Sequence, residues 1–248
     1  MRIIGWNIRA GGGRRVMALA TQLGRWAPDV VALSEFRGTP PSMTLARALA
    51  DLGLTHQLHT ADPREWSANR LLVASRWPLR HIRPRHAPRE PGKWILADVA
   101  APHPFAVGAM HVPNRVTGRK WDFLDAVLRV AERWSAGPAL LLGDTNSGRP
   151  GIDEEVPAFN AREGGWIDAL DRARWCDAFR HLRGGERAYT WYSPNGRNGF
   201  RIDQAFLNQG LLDRLEAARY EWGRRRPGTA RTTVLSDHAA LLVDLADP

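Results

Sequence analysis

The sequence predicts a single α/β sandwich. Segments with helical spacing alternate with strand-length apolar runs along all 248 residues. Many of the strands follow one another directly, without an intervening helix, as a mixed sheet covered by helices requires. No repeat, low-complexity tract or Ser/Gly linker divides the chain, so 1–248 reads as one domain.

The elements follow in order. "RIIGWNI" opens the chain as a strand, and "RRVMALATQLGRWAP" has helical spacing that must stop at Pro28. "DVVALSE" is a buried strand. "PSMTLARALADLG" begins with a Pro-Ser start signal and ends at Gly53, as a helix does. "NRLLVASRWPL", "WILADVA" and "PFAVGAMHVPN" read as three strands, and "RKWDFLDAVLRVAERWSAG" is the clearest amphipathic helix. "ALLLGD" follows as a strand. "GGWIDALDRARWCDAFRHLRGG" reads as one helix with a Gly exit, and "RIDQAFLN", "EAARYEW" and "HAALLVDL" close the chain as strands.

Composition narrows the function. The apolar content of 44% suits a real core, and no apolar run is long enough to span a membrane. The N-terminus enters a strand at once, without the basic-then-apolar pattern of an export signal, so a cytoplasmic protein is expected. The single cysteine, Cys176, excludes an internal disulfide framework and a thiolate zinc cluster. The net charge of +9 favours polyanionic partners, nucleic acid first. Against that, nearly every cation is arginine, a bias that genome composition alone can produce; Lys93 and Lys120 are the only lysines. Two Arg-rich loops stand out, "RHIRPRHAPRE" and "WGRRRPGTARTT".

The chemistry gathers at strand ends. Asn7, Glu35, His111 and Asp144 each finish an apolar strand, and Asn146 follows in "GDTN". Asp203 in "RID" and Asp237-His238 in "SDH" sit near the starts of two more strands, which reach the same rim if those strands run antiparallel. Any one of these residues could simply turn or cap the chain. Together they are a set of acidic, amide and imidazole groups at one edge. Carboxylates without thiols suit a hard cation, Mg²⁺ or Mn²⁺. A carboxylate can deprotonate water, and imidazole or amide groups can stabilise a charged transition state. That is a site for hydrolysing a phosphate ester.

"GWN", "ALSE", "HVPN", "GDTN", "RID" and "SDH", in this order from residue 5 to residue 238, resemble the endonuclease/exonuclease/phosphatase (DNase I-like) superfamily. The resemblance implies a four-layered α/β sandwich, two packed mixed β-sheets flanked by helices. It implies that Glu35 ligates the metal, with Asn7 and Asp237 beside it. Asp144 and Asn146 would position and activate water, and Asp203 would orient the catalytic His238. The nearest branch looks like the exonuclease III-type abasic-site endonucleases. That branch places Asn114 on a phosphate, and Trp191, Phe200 and Ile202 around an abasic sugar, with Arg201 among the substrate contacts. Three departures stand against it: His111 replaces the usual tyrosine, "NIRAGG" the usual Asn-Val-Asp/Asn-Gly, and "SEFR" the usual Gln-Glu-Thr-Lys. The resemblance therefore implies a monomeric, Mg²⁺-dependent nuclease of double-stranded DNA, acting at abasic sites or 3′ ends. A non-specific DNase I-like nuclease, and a phosphatase or phosphodiesterase on a small or lipid substrate, are the alternatives.

Overall fold

The computed structural model describes residues 1–90, 92–194, 197–223 and 235–246. Two six-stranded sheets pack face to face. The first has the order β13 (Leu215–Glu221), β14 (Ala240–Leu245), β1 (Arg2–Asn7), β2 (Val30–Phe36), β4 (Arg70–Ser75), β3 (His56–His59). The second has the order β5 (Leu79–His81), β6 (Trp94–Val99), β7 (Phe105–His111), β8 (Ala139–Asp144), β12 (Asp203–Asn208), β9 (Trp175–Asp177). A short hairpin, β10 (Trp191–Tyr192) with β11 (Gly199–Phe200), stands apart.

The layering follows from strand periodicity. Successive strand residues face opposite sides, so a strand covered on both faces is apolar throughout. Ile3, Val30, Val73, Val107, Leu140 and Val243 join the core between the sheets. Their neighbours Ile4, Val31, Leu72 and Leu242 pack outward with Leu19, Leu23, Leu45 and Leu49 of α1 (Val16–Trp26) and α2 (Pro40–Asp51). On the other side, Leu96, Ala106, Leu141 and Phe206 pack under α3 (Lys120–Glu132) and α4 (Ala161–Arg172), chiefly against Phe123, Val127 and Ile167. The result is the expected four layers.

The short strands β3, β10 and β11 are absent from the sequence reading, and two expected elements are broken. "NRLLVASRWPL" is not one strand. Pro78 separates β4 from β5, and the two lie in different sheets. The helix expected over "GGWIDALDRARWCDAFRHLRGG" is broken as well. Arg174 takes a left-handed φ of 65°, and β9 pairs antiparallel with β12. Asp177 then starts α5 (Ala178–Arg183) by accepting from the Arg180 amide. Tertiary burial of Trp175, whose Nε1 donates to the Ala131 carbonyl, overrides the helical spacing.

Strand direction builds one polar rim. β1 and β2 are parallel, and so are β7 and β8. β14 runs antiparallel to β1, and β12 antiparallel to β8. Strand ends of the first kind and strand starts of the second therefore meet at the same edge. Within the second sheet the register sets His111, Asp144 and Asp203 side by side. Gly143 lies inside β8, one residue before Asp144. Its φ of 140° and the Met110 carbonyl, which a Cβ would meet at 2.0 Å, admit only glycine there.

Candidate active site

Asp144 is the hub. It is buried, and its Oδ1 accepts from the Asn146 amide at 3.0 Å. Three side-chain nitrogens converge on its Oδ2: Asn7 Nδ2 at 3.0 Å, His111 Nε2 at 3.6 Å and His238 Nε2 at 4.0 Å. The two imidazole distances are too long for direct hydrogen bonds, so these contacts are electrostatic. Burial, the largest influence, raises the Asp144 carboxyl above the usual range, against the opposing pull of His238, His111 and the Asn7 amide.

The two histidines are tuned in opposite directions. Burial alone would depress His238, but Asp203, whose Oδ2 lies 2.9 Å from Nδ1, overrides it, with Asp144 and Asp237 adding to the effect. The pKa of His238 is raised to about 9. Burial also dominates at His111, where Lys93 and His238 add to it against Asp144, and the pKa falls to about 4. At neutral pH the site thus holds one imidazolium and one neutral imidazole.

Glu35 reaches the rim through a β-bulge. The β2–β4 register shifts between Ser34 and Phe36, and Glu35 takes a φ of 60°. The "NIRAGG" turn holds it: the Ala10 amide donates to Oε2 at 2.6 Å and the Gly11 amide to the Glu35 carbonyl at 2.7 Å. Asn7 Nδ2 lies 3.4 Å from Glu35 Oε1, so this amide links Glu35 to Asp144. Asn146, also left-handed with a φ of 46°, donates from Nδ2 to the Val112 carbonyl at 2.8 Å. Asn114 is exposed, and with Glu35, Asn69, Lys93, His111 and Asn146 it lines an open pocket of about 280 Å³.

Asp237 lies further out. Its side chain is 42% exposed, with Arg9 Nε at 3.9 Å. Trp191 bridges by its backbone to His238, and its ring centre lies 6.3 Å from the imidazole and 5.8 Å from that of Phe200. Both aromatics are half-buried beside the rim that carries His238. Ile202 is not on that flank as an exposed lining. It is 5% exposed, and its carbonyl accepts from the Thr145 amide and hydroxyl. Arg201 corrects the sequence reading outright, because it is fully buried and cannot contact a substrate. Its guanidinium is held by Asp153 at 2.7 Å and Asp177 at 2.6 Å. It also donates to the Tyr220 hydroxyl, which in turn donates to the Asp203 carbonyl at 2.8 Å. A buried guanidinium needs such carboxylates, and the network anchors the start of β12 beneath Asp203.

Sequence reasoning missed the supporting groups. Lys93 Nζ lies 3.1 Å from His111 Nδ1. Lys120, 2% exposed, pairs with the buried Glu163 and donates to the Asn146 carbonyl at 2.5 Å. The Trp6 indole donates to the His238 carbonyl at 3.0 Å, and the Ser236 hydroxyl to the Asn7 carbonyl at 2.6 Å. One signal was available: in a chain so rich in arginine, its only two lysines both stand beside the site. The Arg-rich loop at 80–90 contributes Arg85 and Arg89 to a groove of about 340 Å³ against α3. The Arg119–Glu90 ion pair at 3.1 Å separates that groove from the site pocket. Of the second Arg-rich loop, 222–233, residues 224–233 lie outside the described residues.

Among the described residues, Asp144, Asp203 and His238 offer ligand atoms within 4.8 Å of one another. An imidazolium, the form that the Asp203 contact favours at His238, offers no lone pair to a metal. The oxygen donors around Glu35 and Asn7 fit a hard cation better, since they are carboxylate and amide groups at a half-open rim.

The fold is that of DNase I-like proteins. The chain belongs to the Endonuclease/Exonuclease/phosphatase family, whose sequence profile matches residues 4–238. It is similar to an AP endonuclease from Archaeoglobus fulgidus (TM-score 0.81, 18% identity, 100% of both chains covered). It is also similar to the 3′-5′ exonuclease NExo from Neisseria meningitidis (TM-score 0.80, 21% identity, 100% of both chains). A third likeness is to AP endonuclease LMAP from Leishmania major (TM-score 0.75, 18% identity, covering 100% of this chain and 88% of that one). No curated protein sequence matches the chain. Among the described residues, no helix is long and apolar enough to cross a membrane.

Proposed function

We propose that this protein is a monomeric, cytoplasmic, divalent-cation-dependent phosphodiester hydrolase that acts on double-stranded DNA, cutting at abasic sites and trimming 3′ ends. The observation that carries this reading is the convergence of Asn7, His111 and His238 on one oxygen of Asp144.

In this reading Asp144 takes the proton of the attacking water, and burial gives its carboxyl the raised basicity that role needs. Asn7 and Asn146 hold that carboxylate and the water in place. The His238 imidazolium, oriented by Asp203, donates to the oxygen that gains charge as the ester bond breaks. His111 supplies a second, neutral donor. Glu35, Asn7 and Asp237 would hold Mg²⁺, or Mn²⁺ in its place. When bound, such a cation neutralises phosphate oxygens and stabilises the leaving oxyanion. Trp191 and Phe200 flank the position of a flipped-out abasic sugar, which lacks a base and leaves the stack at low cost. The groove along the 80–90 loop offers Arg85, Arg89 and Arg119 to the flanking backbone.

The replacement of the usual tyrosine by His111 favours a second reading: a non-specific nuclease, or a phosphatase or phosphodiesterase of the same family on a different substrate. One assay separates them. A duplex with a synthetic abasic site, an intact duplex and a simple phosphomonoester are each offered with Mg²⁺ and with chelator. Cation-dependent cleavage that prefers the abasic duplex supports the first reading. Equal cleavage of both duplexes, or turnover of the monoester alone, selects the second. Full activity under exhaustive chelation overturns both.

A further inference from the structure

Lys93 is unused by the mechanism above, yet its ammonium is placed against a catalytic imidazole. It immediately precedes β6, and its carbonyl accepts from the His111 amide at 3.0 Å, which extends the β6–β7 ladder by one rung. The residue before it is anchored as well, since the Thr60 hydroxyl donates to the Gly92 carbonyl at 3.0 Å. The backbone therefore sets the Lys93 position without help from its side chain. The side chain brings Nζ to 3.1 Å from His111 Nδ1, while the other ring nitrogen, Nε2, faces Asp144 Oδ2 at 3.6 Å.

The two faces of the ring demand the same proton arrangement. Burial lowers the pKa of Lys93 while Glu35, Asp144 and Glu90 oppose that; as an ammonium it carries only donors, and Nδ1 beside it accepts. An ionised carboxylate carries only acceptors, so Nε2 opposite it must bear the hydrogen. The hydrogen bonds that Asp144 accepts from Asn7 Nδ2 and the Asn146 amide support that ionised form against the burial that raises its carboxyl. A free neutral imidazole divides between two tautomers, and only one of them aims an N–H at Asp144.

We propose that Lys93 is a positioning residue: by donating to Nδ1 it locks His111 as the Nε2–H tautomer and so presents one fixed N–H donor to the phosphate oxygen beside Asp144. The chemistry differs from that of the Asp203–His238 pair across the site. There a carboxylate orients an imidazolium; here an ammonium orients a neutral ring. The substrate half of the proposal rests on the phosphodiesterase reading, whereas the tautomer half does not.

The test uses the full-length protein with ¹⁵N-labelled histidine rings. The His111 signals are identified by their loss in His111→Asn. Ring ¹⁵N shifts at neutral pH report which nitrogen carries the proton, and the wild-type spectrum alone must show hydrogen on Nε2 and a bare Nδ1. Lys93→Met keeps the length and apolar stem but removes the donor, and should yield a mixture of tautomers. Lys93→Arg restores a cationic donor and should restore the Nε2–H form. In parallel, Lys93→Met should lower kcat by roughly tenfold with little change in KM, the scale of one hydrogen bond lost in the transition state. A wild-type ring protonated on Nδ1, or an unchanged tautomer in Lys93→Met, overturns the proposal. A shifted tautomer with unchanged kcat overturns its catalytic half. If the wild type cleaves no DNA at all, the phosphodiesterase reading falls, and the ring spectra still decide the tautomer.

Discussion

Replacing Asp203 with asparagine tests the engine of the site with little change of shape. In the wild type, burial works to keep His238 neutral, and the Asp203 carboxylate at 2.9 Å reverses that, so the pKa stands at about 9 rather than the ordinary 6.5. That rise corresponds to about 3 kcal/mol in favour of the imidazolium within the fold. Asparagine removes the largest raising influence and leaves the burial, so His238 should titrate below neutrality despite Asp144 and Asp237. Turnover at neutral pH should fall by roughly 10²–10³, the usual loss when a preorganised donor is removed. The alkaline limb of the pH–rate profile, expected near 9 in the wild type, should move to the acid side. Stability must change with the matching sign. A folded-state pKa above the unfolded value contributes stability that is complete below about 6.5 and is lost as pH rises through about 9. The gap in Tm between wild type and Asp203→Asn should therefore be widest near pH ~6 and narrow by pH ~9. The measurements are a pH–rate profile on abasic duplex and an imidazole titration by NMR. An alkaline limb that stays near 9 in Asp203→Asn, or turnover within about threefold of wild type, would refute the reasoning.

Four further outcomes are expected. Glu35→Ala should raise the Mg²⁺ concentration needed for half-maximal activity at least tenfold, on the scale of an altered metal ligand shell, while thermal unfolding stays near that of the wild type, because the side chain sits at the rim rather than in the core. Asp144→Asn should abolish turnover yet leave DNA affinity equal or tighter by fluorescence anisotropy, since one negative charge facing the phosphate is gone. Lys120→Met should cost about 3 kcal/mol in urea unfolding, because it removes the nearest cation from the fully buried Glu163 and leaves it only Arg115 at 3.4 Å and the Asn160 amide, and adding Glu163→Gln should recover much of the loss. Trp191→Ala and Phe200→Ala should erode the preference for abasic over intact duplex; if they instead depress all activities and Tm in parallel, the two rings are packing residues only.

Much of the site is legible in the sequence because strand-end chemistry survives without coordinates. Apolar runs ending in Asn7, Glu35, His111 and Asp144 announce themselves, and the order of the motifs names the family. The layers are legible too, since strands apolar on both faces must be covered on both faces. What the sequence could not supply is whatever depends on a partner distant in the chain. Arg201 stands between Phe200 and Ile202 and resembles a surface cation, but Asp153 and Asp177, 48 and 24 residues away, take it into the interior. Pro78 and Arg174 break elements whose local spacing is continuous, because the pieces find places in the sheets that local propensity does not foresee. The opposite charge states of His111 and His238 are likewise a tertiary result. Both are buried imidazoles beside Asp144; burial prevails at His111, where Lys93 and His238 add to it, whereas Asp203, with Asp144 and Asp237, overrides it at His238. The sequence by itself marked the candidate groups at the strand ends; the packed sheets decided which proton each group holds, because a proton's affinity is set by burial and by charges a few ångströms away, wherever in the chain they come from.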